Sequence, residues 1–182
     1  MTGMKTLYTL AYPALTNDDT LRIQEFRRVH DPHYNVVQAH FTLVFGCGDV
    51  ADVAYLDHIE AVARTASPIQ FVCRYAMLGA DAAGTPHIFL VPDEGYSGLS
   101  LLHDALYRGV LAELLRLDIP FVPHITIGSF VGRVAAKRLC DELNAAELEI
   151  RGVVNALTVA MREAHSICSI ETFLLAGCES QR

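Results

Sequence analysis

Two short segments of this chain repeat one pattern. Gln38-Ala39-His40-Phe41-Thr42-Leu43-Val44-Phe45 and Val122-Pro123-His124-Ile125-Thr126-Ile127 each carry His-x-Thr-x within a run of β-branched and aromatic residues. Such runs read as strands. Side chains alternate faces along a strand, so residues i and i+2 point the same way. His40 and Thr42 therefore share one face, and Phe41, Leu43 and Phe45 the other. His124 and Thr126 stand in the same relation to Ile125 and Ile127. Each copy presents an imidazole and a hydroxyl side by side, above an apolar underside suited to packing. One copy alone is an ordinary strand with a satisfied histidine; two in matching contexts point to a shared site.

Paired imidazoles suit phosphodiester chemistry. Moving a phosphoryl group between oxygens requires one group to take a proton from the attacking oxygen and another to give one to the leaving oxygen. Histidine titrates nearest neutral pH and can fill either role. Threonine hydroxyls can donate to the non-bridging oxygens and hold the phosphorus in line.

The motifs resemble those of the two-histidine phosphoesterase superfamily, the 2′-5′ RNA ligase-like and cyclic phosphodiesterase proteins. Pro123-His124-Ile125-Thr126-Ile127 fits the form closely, and Ala39-His40-Phe41-Thr42-Leu43 fits apart from the missing proline. The resemblance covers nearly the whole chain. It implies an α+β fold of two pseudo-symmetric lobes, with antiparallel sheets lining a central cleft and helices outside, and a site without metal or other cofactor. It assigns the general base to His124, the general acid to His40, and phosphoryl binding to Thr42 and Thr126. The substrate it implies is a 2′,3′-cyclic phosphate or another 2′-linked phosphodiester of a nucleotide or RNA end. Ligation through 2′-5′ linkages is the same chemistry in reverse, and nucleotide binding without turnover is the alternative from another class. Relatives acting on RNA ends often carry a basic residue just after the second motif, where this chain has Gly128-Ser129-Phe130.

Composition narrows the partners. With 14 basic and 21 acidic residues the formal charge is −7, whereas proteins that grip long nucleic acid usually show a basic face. A nucleotide or RNA end is thus expected rather than a long duplex. The 182 residues suffice for one domain with a real core. The five cysteines are scattered without Cys-x-x-Cys, which suggests reduced thiols and a cytoplasmic location. No apolar stretch reaches membrane-spanning length, and no membrane partner is expected.

In chain order, residues 4–12 read as a strand stopped by Pro13. Thr16-Asn17-Asp18-Asp19 caps a helix to about Val29. Pro32 ends that region at His30-Asp31-Pro32-His33, where a polar loop is favoured over a metal cluster. Asp49 is expected to cap a helix reaching about Ala66, with Val53, Leu56, Glu60 and Ala63 along one face. Residues 71–78 and 87–91 form an expected hairpin, with His87 and Phe89 facing the cleft in one reading and His87 structural in the other. Leu99, Leu102, Leu106, Val110 and Leu114 trace a helix over residues 97–115. Ala135, Leu139 and Leu143 mark another, and residues 147–161 and 167–176 read as a closing strand pair. His58 and His103 look incidental, and His165 looks like a surface turn residue.

Overall fold

The computed structural model describes residues 6–81, 83–163 and 166–177. The expected turn residue His165 and the Cys178 tail lie outside them. The fold is α+β with antiparallel sheets. Strands β1 (Thr6–Ala11), β3 (Phe41–Cys47), β5 (Tyr75–Ala80), β6 (Pro86–Val91), β7 (Ile125–Ser129), β9 (Ala156–Glu163) and β10 (Ser166–Leu174) make a seven-stranded sheet in the order β10-β9-β1-β3-β7-β6-β5. Short strand β2 (Ala14–Leu15), β4 (Ile69–Cys73) and β8 (Ile150–Val154) make a smaller sheet in the order β2-β8-β4. The helices are α1 (Asn17–His30), α2 (Asp52–Ala63), α3 (Tyr96–Leu106) and α4 (Arg133–Ala145), with a 3₁₀ turn over Gly109–Leu114. None of the described helices is long and apolar enough to cross a membrane.

The two motif strands are neighbours at the middle of the large sheet, with Phe41 opposite Ile125. Their undersides carry the core: Phe41, Leu43, Ile125 and Ile127 are buried in one cluster with Ile23, Tyr55, Ile59 and Leu99. Phe71 of the small sheet meets Phe41 edge-on, with ring centroids 5.1 Å apart. Helix α1 begins as its sequence dictates. Thr16 accepts from the Asp19 amide, and Asp18 and Asp19 stand in the first turn where the helix dipole favours negative charge.

Several sequence expectations are corrected. Residues 71–78 are not one strand: β4 ends at Cys73 and β5 starts at Tyr75, in different sheets. Residues 147–161 divide the same way, between β8 and β9 at Asn155. Each long segment crosses from one sheet to the other through a single residue. The helix expected over residues 97–115 stops at Leu106, and Gly109 takes a φ of 53° that no continuing helix accepts. Leu111 is buried there while Val110 is 47% exposed. Helix α2 starts at Asp52 without a side-chain cap, and its buried face is Tyr55, Ile59 and Ala63, with Val53 outside.

Candidate active site

Both motif histidines stand one residue before their strands, since β3 opens at Phe41 and β7 at Ile125. Among the described residues, Phe41 and Ile125 are the one pair between the two strands, so His40 comes beside Thr126 at the start of β3. Directly opposed residues share a face, about 4.5–5.5 Å apart at Cβ, and diagonal ones lie about 7–8 Å apart. His40 and Thr126 line one cavity together and His124 and Thr126 a second, whereas Thr42 lines neither.

The ring orientations match. The His40 Nδ1 donates to the Gln38 carbonyl at 2.7 Å, and the His124 Nδ1 donates to the Val122 carbonyl at 2.6 Å. A carbonyl only accepts, so the proton sits on Nδ1 in both neutral rings. Nε2 is then the nitrogen left to accept or deliver a proton. Burial pulls both histidines below the ordinary imidazole range, against the opposing effect of those carbonyl bonds. Smaller influences on His40 come from Arg27 and His124, which lower it, and Asp31, which raises it. The neighbouring His87 adds a smaller lowering influence at His124.

The strands separate beyond Phe41 for a chemical reason. The pairing stops at Phe41 and Ile125, and Pro123, just before the second motif, has no N–H to offer a ladder. Helix α3 supplies what the ladder does not. The His103 Nδ1 donates to the Leu43 carbonyl at 2.8 Å, and the Phe45 amide donates to the Tyr107 hydroxyl at 3.0 Å. His103 is buried and stacks on Phe121 at 3.7 Å, so it is a structural support rather than an incidental residue. His58 likewise ties α2 to the end of α3 through the Leu106 carbonyl.

Phe45 does not share the underside with Phe41 and Leu43, contrary to strict alternation. The β1–β3 ladder shifts register between the Leu10–Thr42 and Thr9–Val44 pairs. Such an irregularity turns the following residues over. Leu43 and Val44 are both buried, and Phe45 lines a cavity of about 440 Å³ together with His124, Phe89 and Val122. A second cavity, of about 490 Å³, is lined by His40, Arg27, His33, Tyr8 and Val37. Thr126 and His87 line both. Thr42 is half-buried on β3, and Tyr12 packs edge-on against His40 at 6.0 Å.

The loop before the first motif is built around an ion pair. Arg27 and Asp31 are both buried, with Nε to Oδ2 at 2.8 Å. The same guanidinium donates through Nη2 to the Val37 carbonyl at 2.7 Å, and Asp31 Oδ1 accepts the His33 amide at 2.8 Å. His33 therefore reaches the cavity, whereas His30 packs between Phe26 and Phe130. Asp31 is thus committed to holding the loop. Among the described residues, no group of three or more His, Cys, Asp or Glu side chains is placed to hold a metal ion.

Arg27 and Tyr12 are the site residues that sequence reasoning did not assign, and Asp31 enters as the partner of Arg27 rather than as a metal ligand. Phe89 and His87 line a cavity beside His124, as the cleft-facing reading of that strand has it. The spacing of Arg27 and Asp31 on one helix face was the available signal.

The fold has counterparts among solved structures. TT0787 of Thermus thermophilus superposes with a TM-score of 0.61 at 21% identity, covering 96% of this chain and 100% of that one. LigT of E. coli, complexed with 3′-AMP, gives 0.58 at 18% identity, covering 95% and 99%. The same protein complexed with NADP+ gives 0.59 at 18% identity, covering 94% and 98%. No curated protein matches the sequence. The sequence pattern of the 2′-5′ RNA ligase superfamily matches residues 13–166, and the chain therefore belongs to that superfamily.

Proposed function

We propose that this protein is a metal-independent phosphodiesterase that opens a 2′,3′-cyclic phosphate, or cuts another 2′-linked phosphodiester, on a nucleotide or RNA end. The observation that carries this reading is the matched pair of Nδ1 bonds, His40 to Gln38 and His124 to Val122. Two imidazoles held in the same tautomer, each with Nε2 left for chemistry, are equipped to exchange protons with opposite sides of one phosphorus.

In this reading His124 takes a proton from water through Nε2. The water oxygen attacks phosphorus, the bond from phosphorus to the ribose oxygen breaks, and His40 protonates that oxygen from its own Nε2. The product is a nucleoside phosphomonoester. Thr42 and Thr126 donate to the non-bridging oxygens, where charge accumulates in the transition state. Burial by itself favours the neutral form of both rings. An entering phosphodiester brings a negative charge that favours protonation of one of them. The gap between β3 and β7 beside Phe89 and Phe45 offers aromatic surface for a base, in keeping with LigT complexes of 3′-AMP and NADP+. The net charge of −7 favours a small nucleotide or RNA end over a long duplex. Free thiols at Cys47, Cys73, Cys140 and Cys168 suit a reducing compartment such as the cytoplasm.

Product analysis with the four 2′,3′-cyclic nucleotides, in a strong chelator, tests the reading. Accumulation of a 2′- or 3′-monophosphate is the expected result. Binding without turnover would instead make the protein a nucleotide-binding module, and activity restored only by a divalent ion would make it a metal hydrolase.

A further inference from the structure

His87 is a half-buried polar side chain in the cleft that the two-histidine reaction does not employ. It stands on β6 with its side chain 15% exposed, and neither ring nitrogen has a hydrogen-bond partner although both are buried. Buried imidazole nitrogens are ordinarily paired, and each exception asks for a reason. Packing holds the ring in place. It lies nearly parallel to Phe89, with centroids 5.9 Å apart and planes 10° apart, and Phe89 in turn covers His124 at 3.9 Å. Asp81 gives it a charged neighbour, with Oδ2 3.6 Å from Nε2, just beyond hydrogen-bonding distance. That carboxylate is itself fixed, because Oδ1 accepts the amides of Ala83 and Thr85 across the β5–β6 turn. Along with Thr126, His87 borders both cavities, which places it where the two meet. The second torsion of a histidine is soft, so the ring can turn a nitrogen into the cavity without moving the strand.

We propose that His87 is a third substrate-contacting histidine, which donates a hydrogen bond to a phosphoryl oxygen beside Thr126, with Asp81 as its anchoring carboxylate. The proposal rests on the phosphodiesterase reading for the identity of the ligand. It assigns His87 to binding, and leaves proton transfer to His40 and His124. It also accounts for two buried ring nitrogens that make no hydrogen bond within the protein: the substrate's anion supplies the acceptor.

Inorganic phosphate is the probe, titrated calorimetrically into the full chain as wild type, His87→Ala, His87→Gln and Asp81→Asn. Loss of one hydrogen bond to a charged oxygen corresponds to roughly 10–100-fold in affinity. That loss is expected in His87→Ala, with smaller losses in His87→Gln, whose amide still donates, and in Asp81→Asn. In wild-type protein the His87 ring signals in ¹H–¹⁵N spectra should move with the same phosphate midpoint as those of His124, a readout that does not depend on any variant folding. Wild-type affinity in His87→Ala overturns the proposal, as does a His87 signal that stays still while His124 responds. Turnover of 2′,3′-cyclic AMP by the wild type is scored separately. No turnover, with phosphate affinity still lost in His87→Ala, overturns the reaction class and supports the anion contact.

Discussion

Phe41 of the first motif lies directly opposite Ile125 of the second, at the centre of the seven-stranded sheet. This pairing converts two distant stretches of sequence into one site. It brings His40 and His124 to cavities that share Thr126 and His87, while Phe41, Leu43, Ile125 and Ile127 seal the underside with core. The site face and the core face are thus set by a single alignment. A one-residue slip of either strand would turn that strand's imidazole toward the core and its apolar residue, Phe41 or Ile125, away from it.

Gly79 on β5 controls how Phe89 meets His124. A Cβ at Gly79 would fall 2.0 Å from the Phe89 ring, so any side chain there displaces it. Gly79→Ala is expected to cost about 1–3 kcal/mol of stability through overpacking, and to lower kcat/KM by moving the ring that covers His124. Urea titration and steady-state kinetics on the same preparation measure the two effects.

Arg27 and Asp31 hold the loop that delivers His40. Removing one member of a buried pair leaves the other charge uncompensated, typically at about 3–5 kcal/mol. Arg27→Met is therefore expected to destabilise the fold by roughly that amount, and Asp31→Asn by a comparable one, as read from denaturant midpoints. Arg27→Met also deprives the Val37 carbonyl, three residues before His40, of its donor.

Acid should weaken the fold through its buried histidines. Burial lowers His40, His103 and His124 below the ordinary value. The unfolded chain therefore binds more protons than the folded one once the pH falls to about 6.5. The stability these groups contribute is fully present above that pH and is lost as the pH falls towards their folded-state values. Urea midpoints should accordingly drop between about pH 7.5 and about pH 5. His103→Gln, which keeps a donor near the Leu43 carbonyl but does not titrate, should show a shallower drop.

The motifs are legible in the sequence because their information is local: His-x-Thr-x in a strand carries its own face assignment. Helix α1 is equally plain, since Thr16 and the acidic first turn announce its start. The breaks at Arg74 and Asn155 are not legible, because neither residue forbids a strand. What ends β4 and β8 there is a change of sheet, a non-local event. The role of His103 is hidden for a related reason. Its partner, the Leu43 carbonyl, belongs to another element sixty residues away, and the pairing of β3 with β7 stops short of it. Strict alternation misplaces Phe45 because a register shift against β1 cannot be seen in β3 alone.

The central claim is that His40 and His124 transfer the two protons, and the pH dependence of kcat/KM for a 2′,3′-cyclic nucleotide tests it most directly. The wild-type profile should be bell-shaped, because one ring must be neutral and the other protonated. His40→Ala and His124→Ala should each lose about 10²–10⁴-fold in rate and one limb of the bell, the missing limb identifying acid or base. The double variant should lose far less than the product of the single losses, since the pair works as a unit. Thr42→Ala and Thr126→Ala should cost about 1–3 kcal/mol each in the same assay. Wild-type activity in either histidine variant, with the fold intact, would contradict the account.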